Sequence, residues 1–240
     1  VNEIIEGKGV RIVDLGSARF ALAPAAEAPA GLSAQELAVC AGDWAGREVG
    51  RPLPVLYARQ EHTALLYSFG KERTLRPGPH LVGICDGLLT AERGVALTVR
   101  TADCLPVGLA GADVVALLHA GWRGLAADIV GAAVRRLWAE YGAAAKELEA
   151  VVGVGIGPCH YEVGPEVVDA LARREVVGAP WRRERAVDLA AWARGRLEAL
   201  GVPANAITVV PGCTACTPDY HSFRRDGLSA GRQWSAAVLR

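Results

Sequence analysis

The chain has 240 residues, 51% of them hydrophobic, and its 26 basic and 26 acidic side chains cancel. That length and apolar content support a substantial core and exclude a disordered chain, while the zero net charge argues against a nucleic-acid binder, which carries a basic face. No apolar run nears the about 20 residues needed to span a bilayer, and Val1 to Glu6 lack the basic start and apolar stretch of a signal peptide. The expectation is a cytoplasmic protein with no membrane, nucleic-acid or obligate protein partner. In that compartment the six cysteines read as free thiols or metal ligands, not as three disulfides.

In chain order, the Ala- and Pro-rich stretch from Ala21 to Ala30 reads as a loop. Ser33-Ala34-Gln35-Glu36 forms a capping box that opens a helix to about Trp44. A strand within 55–67 leads into His62. Residues 95–109 read as one long strand with early β-branched residues, and 114–118 as an apolar strand. Leu125, Ile129, Ala133 and Leu137 form an i, i+4 row that predicts a helix over 125–141. A strand over 151–156, helices over 165–174 and 187–200, the second stopped by Gly201, and a strand over 207–210 complete the series. There are no repeats and no clear linker. The pattern predicts an α+β fold, a single domain over residues 1–240 with mixed β-sheets flanked by helices.

Two candidate metal ligands flank a predicted hairpin. A two-residue turn at Gly111-Ala112 would set Cys104 directly opposite His119, on one sheet face with Cβ atoms about 5 Å apart. A thiolate and an imidazole suit zinc, with copper as competitor. A third histidine would leave one position open, the mark of a catalytic site. Spacing does not choose that histidine among His62, His80, His160 and His221. A buried strand cysteine is ordinarily a small hydrophobe, but His119 ends an apolar strand and precedes Ala120-Gly121-Trp122-Arg123-Gly124, a turn able to approach a ligand.

Four ordered segments carry a resemblance: Thr101-Ala102-Asp103-Cys104-Leu105-Pro106-Val107, His119 through Gly124, Gly155-Ile156-Gly157-Pro158-Cys159-His160-Tyr161-Glu162-Val163-Gly164, and His221-Ser222-Phe223-Arg224-Arg225-Asp226-Gly227 followed by Gly231-Arg232-Gln233. They resemble the YfiH/laccase-domain family, described as multicopper polyphenol oxidases and as purine nucleoside enzymes. The resemblance implies a fold shared with deamidating toxins and a zinc site on His62, Cys104 and His119, the expected metal and catalytic residues. It also implies phosphorolysis of adenosine, inosine and methylthioadenosine, with adenosine deamination. This chain has Gln60-Glu61-His62-Thr63 for the family's Gln-Val-His-Gly, and Cys159-His160-Tyr161-Glu162 for its Cys-Cys-Tyr-Glu.

Arg123, Arg224, Arg225 and Arg232 are the candidate substrate-binding residues, able to hold phosphate through planar bidentate donors. The alternative is that they pair with acidic neighbours such as Asp226. Asp103 and Glu162 are candidate general acids. Gly153 to Pro158 has the wrong spacing for a dinucleotide fingerprint and reads as a tight turn lining the pocket. Cys213-Thr214-Ala215-Cys216, without a second pair, reads as two reduced structural cysteines. Three other functions compete: a metal-free Cys–His hydrolase or deamidase with Cys104 as nucleophile and His119 as base, a copper-dependent polyphenol oxidase, for which five histidines are few, and a binding module with a relic site.

Overall fold

A computed structural model of the chain describes residues 4–7, 9–70, 74–178 and 180–240. The strands are β1 (Ile4–Gly7), β2 (Val10–Leu15), β3 (Ala18–Leu22), β4 (Pro54–Arg59), β5 (Leu66–Phe69), β6 (Gly78–Ile84), β7 (Gly87–Thr90), β8 (Ala96–Thr101), β9 (Leu105–Ala110), β10 (Val115–Ala120), β11 (Glu149–Val152), β12 (Arg182–Arg183), β13 (Ala186–Val187), β14 (Ile207–Val209) and β15 (Gln233–Leu239). The α-helices are α1 (Ala34–Val49), α2 (Trp122–Ala126), α3 (Ile129–Tyr141), α4 (Pro165–Ala172), α5 (Leu189–Ala199) and α6 (Phe223–Asp226). The fold is α+β, as the element pattern predicts.

Two mixed sheets stack face to face. The first has the order β1-β2-β3-β15-β8-β4-β6 and the second β14-β11-β9-β10-β7-β5. Between them lies a core that includes Phe20, Leu56, Leu97, Leu88, Val115 and Leu117. The outer face of the first sheet packs on α1 through Trp44, Val55 and Trp234. The outer face of the second packs on α3, α4 and α5 through Leu118, Leu137, Leu171 and Trp192. Residues 115–118 are apolar throughout because both faces of β10 are covered: Val115 and Leu117 face the first sheet, Ala116 and Leu118 the helices. His119 shares the parity of Val115 and Leu117, so strand alternation turns it toward the first sheet.

The Ser33 capping box forms as predicted, with reciprocal bonds to Glu36, and α1 runs on to Val49 before Gly50 turns left-handed at φ 74°. Four expectations are corrected. Residues 95–109 are two strands in different sheets, because the chain breaks at Asp103, whose φ is +84°. Residues 125–141 are split by Asp128, left-handed at φ 70°, which caps α3 through a bond from the Gly131 N–H. Part of 21–30 is strand, since β3 runs to Leu22. The turn between β9 and β10 is centred on Ala112-Asp113, with Val115 opposite Ala110, so His119 faces Pro106 and Cys104 lies beyond the paired strand.

Candidate functional site

β8, β4 and β6 lie side by side and parallel in the first sheet. Each hands the chain to the second sheet at the same end: β4 to β5 across residues 60–65, β6 to β7 across Cys85-Asp86, β8 to β9 across residues 102–104. Those three crossings carry His62, Asp86 and Cys104. β10 runs antiparallel to β7, which brings its last residues to the start of β7, and the His119 N–H donates to the Asp86 carbonyl at 2.7 Å.

The donor atoms of His62, Cys104 and His119 all lie within 4.8 Å of one another, and the two imidazoles meet edge-on with centroids 4.8 Å apart. His62 stands at φ 60°, a left-handed conformation that costs free energy unless the surroundings enforce it. Asp86 does so. Its buried carboxylate accepts the N–H groups of Glu61 (3.2 Å), His62 (3.0 Å) and Thr63 (2.7 Å), together with the Thr63 hydroxyl (2.7 Å). It also bonds His119 Nδ1 at 2.7 Å, which leaves Nε2 as the ligand nitrogen. Sequence reasoning missed Asp86. Its signal is a lone carboxylate inside the apolar stretch Leu81 to Leu89.

Electrostatics follow from these contacts. Burial opposes charge on Asp86, but the bonds from His119 and Thr63 outweigh it and hold the carboxyl down to about 2. Burial also opposes charge on His119, yet Asp86 and Cys104 push it up to about 9. Burial raises Cys104 too, and the two imidazoles overcome this and bring its thiol down to about 6. Close approach requires Gly121: a Cβ there would stand 2.7 Å from Cys104 Sγ and 3.0 Å from His62 Cδ2.

The cluster opens into a cleft of about 590 Å³ lined by Gln60, Arg100, Thr101, Asp103, Trp122, Arg123, Ile156, Tyr161, Phe223, Arg224 and Arg232, among others. Arg123 lies over the Trp122 ring at 4.4 Å, and Arg224 over Tyr161 at 5.2 Å while donating to the carbonyls of His160 and Glu162. Arg225 is not in the lining. Its guanidinium donates to the carbonyls of Thr214, Thr217 and Tyr220 and pairs with Asp226. Arg100, which sequence reasoning also missed, lies in the cleft wall, its charge disfavoured by burial and then by Arg232. Its signal is an arginine that follows the apolar and β-branched run Ala96-Leu97-Thr98-Val99 within β8. Among the described residues, no carboxylate forms a salt bridge with Arg100, Arg123, Arg224 or Arg232.

Asp103 is in the cleft, but its carboxylate is engaged by the Thr214 hydroxyl and the Arg224 N–H. Glu162 is exposed and outside the lining. The other histidines are elsewhere: His80 bonds the Arg76 carbonyl, His221 that of Ala28, and His160 sits among cysteines. Ile156 lines the cleft, as the glycine-rich stretch around it predicts.

Known proteins match this chain in sequence and fold. Residues 43–240 fit the family model described as multi-copper polyphenol oxidoreductase laccase. The chain is 38% identical to the purine nucleoside phosphorylase YlmD of Geobacillus stearothermophilus over 156 residues, 61% of this chain and 57% of that one. It is 36% identical to an adenosine deaminase from an unknown prokaryotic organism over 159 residues, 62% and 60% of the two chains. These alignments thus span somewhat over half the length of each relative. The crystal structure of YlmD superposes with a TM-score of 0.83 at 25% identity, covering 100% of both chains. That of Bacillus licheniformis YfiH shares the fold, with a TM-score of 0.83 at 21% identity and 98% coverage of both. With the family match spanning the crossings that carry Cys104 and Asp86 and the strand that carries His119, the chain belongs to the YfiH/laccase-domain family.

Proposed function

We propose that residues 1–240 act as one domain, a purine nucleoside phosphorylase that also deaminates adenosine, with zinc held by His62, Cys104 and His119. The observation that carries this reading is a cluster of three ligand atoms opening onto a cleft where four arginines lack carboxylate partners among the described residues. Its about 590 Å³ is in the range for a small-molecule ligand. The donors suit zinc: two imidazoles and a thiol disposed toward the thiolate, with one histidine oriented by a carboxylate. The ion would supply Lewis acidity and a bound water whose pKa falls toward neutrality.

The chain's own residues have separable tasks. Arg100, Arg123, Arg224 and Arg232 hold phosphate against C1′ of the nucleoside. A phosphate oxygen bonds C1′ as the bond from C1′ to the purine nitrogen breaks; the electron pair leaves with the base, whose nitrogen takes up, through solvent, the proton that dihydrogen phosphate gives up, and the products are the free base and a sugar 1-phosphate. Trp122 and Tyr161 offer aromatic faces to the purine. The Thr101 hydroxyl, buried in the cleft wall without a protein partner among the described residues, is free to bond substrate. In deamination, water replaces the amino group at C6 and ammonia departs. A cytoplasmic setting, which keeps thiols reduced, suits Cys104.

Product analysis tests this. Purified protein of known metal content should convert adenosine to adenine and a sugar 1-phosphate with phosphate present, and to inosine without it. No product from adenosine, inosine or methylthioadenosine under either condition overturns the reading. Elemental analysis separates zinc from copper, which competes for the same donors. A second reading has one observation in its favour: the lowered Cys104 thiol beside the raised His119 is also the charge pattern of a thiol nucleophile with its base. Activity that survives a chelator but not alkylation of Cys104 would select it.

A further inference from the structure

A second group of metal-binding side chains lies apart from the one just described. Cys159 and His160, on a turn after the glycine-rich stretch, meet Cys213 and Cys216, on a turn beyond β14. Sequence reasoning takes Cys213 and Cys216 as a lone pair; the fold supplies the missing half from residues more than fifty positions earlier. All six cysteines are free thiols, and the four donor atoms here lie within 4.8 Å of one another. Cys159 Sγ is 3.4 Å from Cys216 Sγ. His160 Nδ1 is 3.3 Å from Cys159 Sγ, 3.4 Å from Cys216 Sγ and 3.8 Å from Cys213 Sγ.

These separations can be compared with a tetrahedral ion. Zinc–sulfur bonds of about 2.3 Å and zinc–nitrogen bonds of about 2.05 Å give tetrahedral edges of about 3.8 Å for sulfur–sulfur and about 3.6 Å for sulfur–nitrogen. The Cys159–Cys216 sulfur spacing and the three spacings from His160 Nδ1 fall within a few tenths of an ångström of these edges. Cys213 Sγ accepts the Gly157 N–H at 3.1 Å, the kind of outer bond that orients a metal-bound thiolate. His160 turns Nδ1 to the sulfurs and is exposed, as are Cys159 and Cys216, so an ion has an entry path.

We propose that Cys159, His160, Cys213 and Cys216 bind a second, structural zinc ion. Four protein ligands complete a tetrahedron and leave no position for water, which makes the site a clamp and not a reaction centre. The clamp joins the two turns beneath the cleft. The His160 carbonyl accepts the Arg224 guanidinium at 3.1 Å, and Thr214, between the two cysteines, bonds the Asp103 carboxylate. The ion would therefore hold two parts of the cleft wall at a distance from the chemistry.

The test counts ions in the full chain, with zinc alone as the probe. Wild-type protein prepared with zinc and freed of loosely bound metal should hold one ion more per chain than either Cys216→Ser or His160→Ala. Cys104→Ala, which disables the cleft cluster, should retain a zinc whose X-ray absorption shows three sulfurs and one nitrogen. Chelation should expose the Cys159 and Cys216 thiols to a thiol reagent and lower the melting temperature of the wild type more than that of Cys216→Ser. Circular dichroism establishes that each variant is folded; should Cys216→Ser not fold, His160→Ala and the absorption spectrum of Cys104→Ala still decide. The proposal is overturned by a folded variant with the wild-type ion count, by Cys104→Ala protein without zinc, or by a Cys159–Cys216 disulfide in protein isolated under reducing conditions.

Discussion

Two thiol–imidazole clusters sit in one small protein under opposite conditions. The cleft cluster has three donors, one of them a buried histidine, and a carboxylate that both orients His119 and fastens the His62 loop. The surface cluster has four donors, three of them exposed, and among the described residues no carboxylate bonds them. On the two proposals above, the same side-chain types make an open site in one place and a closed one in the other, and donor number with its outer bonds sets the difference. The difference teaches what to expect from damage: the cleft should lose chemistry when disturbed, the surface cluster should lose rigidity.

The largest effect should come from Cys104→Ala. Turnover should fall by roughly 10³-fold or more, because the proposed zinc site loses its thiolate, while circular dichroism stays native. Near-normal rates in a folded variant would dissolve the contrast between the clusters. Next is Asp86→Asn. Freeing His119 and the 61–63 backbone should weaken metal binding in the cleft by about 10–100-fold in competition with a chelator. Affinity at the surface cluster should stay unchanged; equal weakening at both would mean the carboxylate acts on the whole fold.

Arg232→Ala should slow phosphorolysis by about 30-fold, the equivalent of ~2 kcal/mol for a lost charge-assisted contact, and spare deamination, which needs no phosphate. Arg225→Ala should lower both reactions together with the melting temperature, since its guanidinium ties carbonyls outside the cleft. Parallel kinetics of the two reactions would show any reversal of this order.

The smallest effect tests whether lost stability alone unloads either cluster. Asp128, buried where α2 meets α3, takes two bonds from Arg196 and one from Arg135. Asp128→Asn keeps a residue that tolerates left-handed backbone and should cost about 1–2 kcal/mol at neutral pH by denaturant titration, with both ion counts intact. Burial opposes the Asp128 charge, but the two arginines lower its pKa below the ordinary carboxylate value. Its stabilisation is therefore complete above the unfolded value of about 3.9 and lost as pH falls through the native one. The gap between wild type and variant should stay level from neutrality to about pH 4 and close below it; a gap that closes near neutrality would remove the ion pairs from the account.

Much of this was legible before the structure, and the failures have physical causes. The capping box at Ser33 is a local device and survives in any context. The Cys104–His119 pairing predicted from a turn at Gly111-Ala112 is one turn position early and misplaces the register by two residues; Cys104 lies in the bend just before β9, beside the strand end that carries His119, so the two groups still meet. Asp103 and Asp128 hid their breaks because aspartate is compatible with strand or helix patterns until it turns left-handed. Asp86 and the Cys159–Cys216 meeting depend on which strands become neighbours, and no local pattern encodes that. The last strand, Gln233–Leu239, sits mid-sheet between β3 and β8 for the same reason.

The three crossings between the sheets also constrain how the protein matures. His62, Cys104 and His119 come from two separate crossings and a strand, so an unfolded chain presents no chelate and must close long loops before one exists. Cys213 and Cys216, three positions apart, already form half a chelate in the nascent polypeptide. Refolding under scarce zinc should therefore fill the surface first and the cleft last, with catalytic competence arriving only once both sheets have docked.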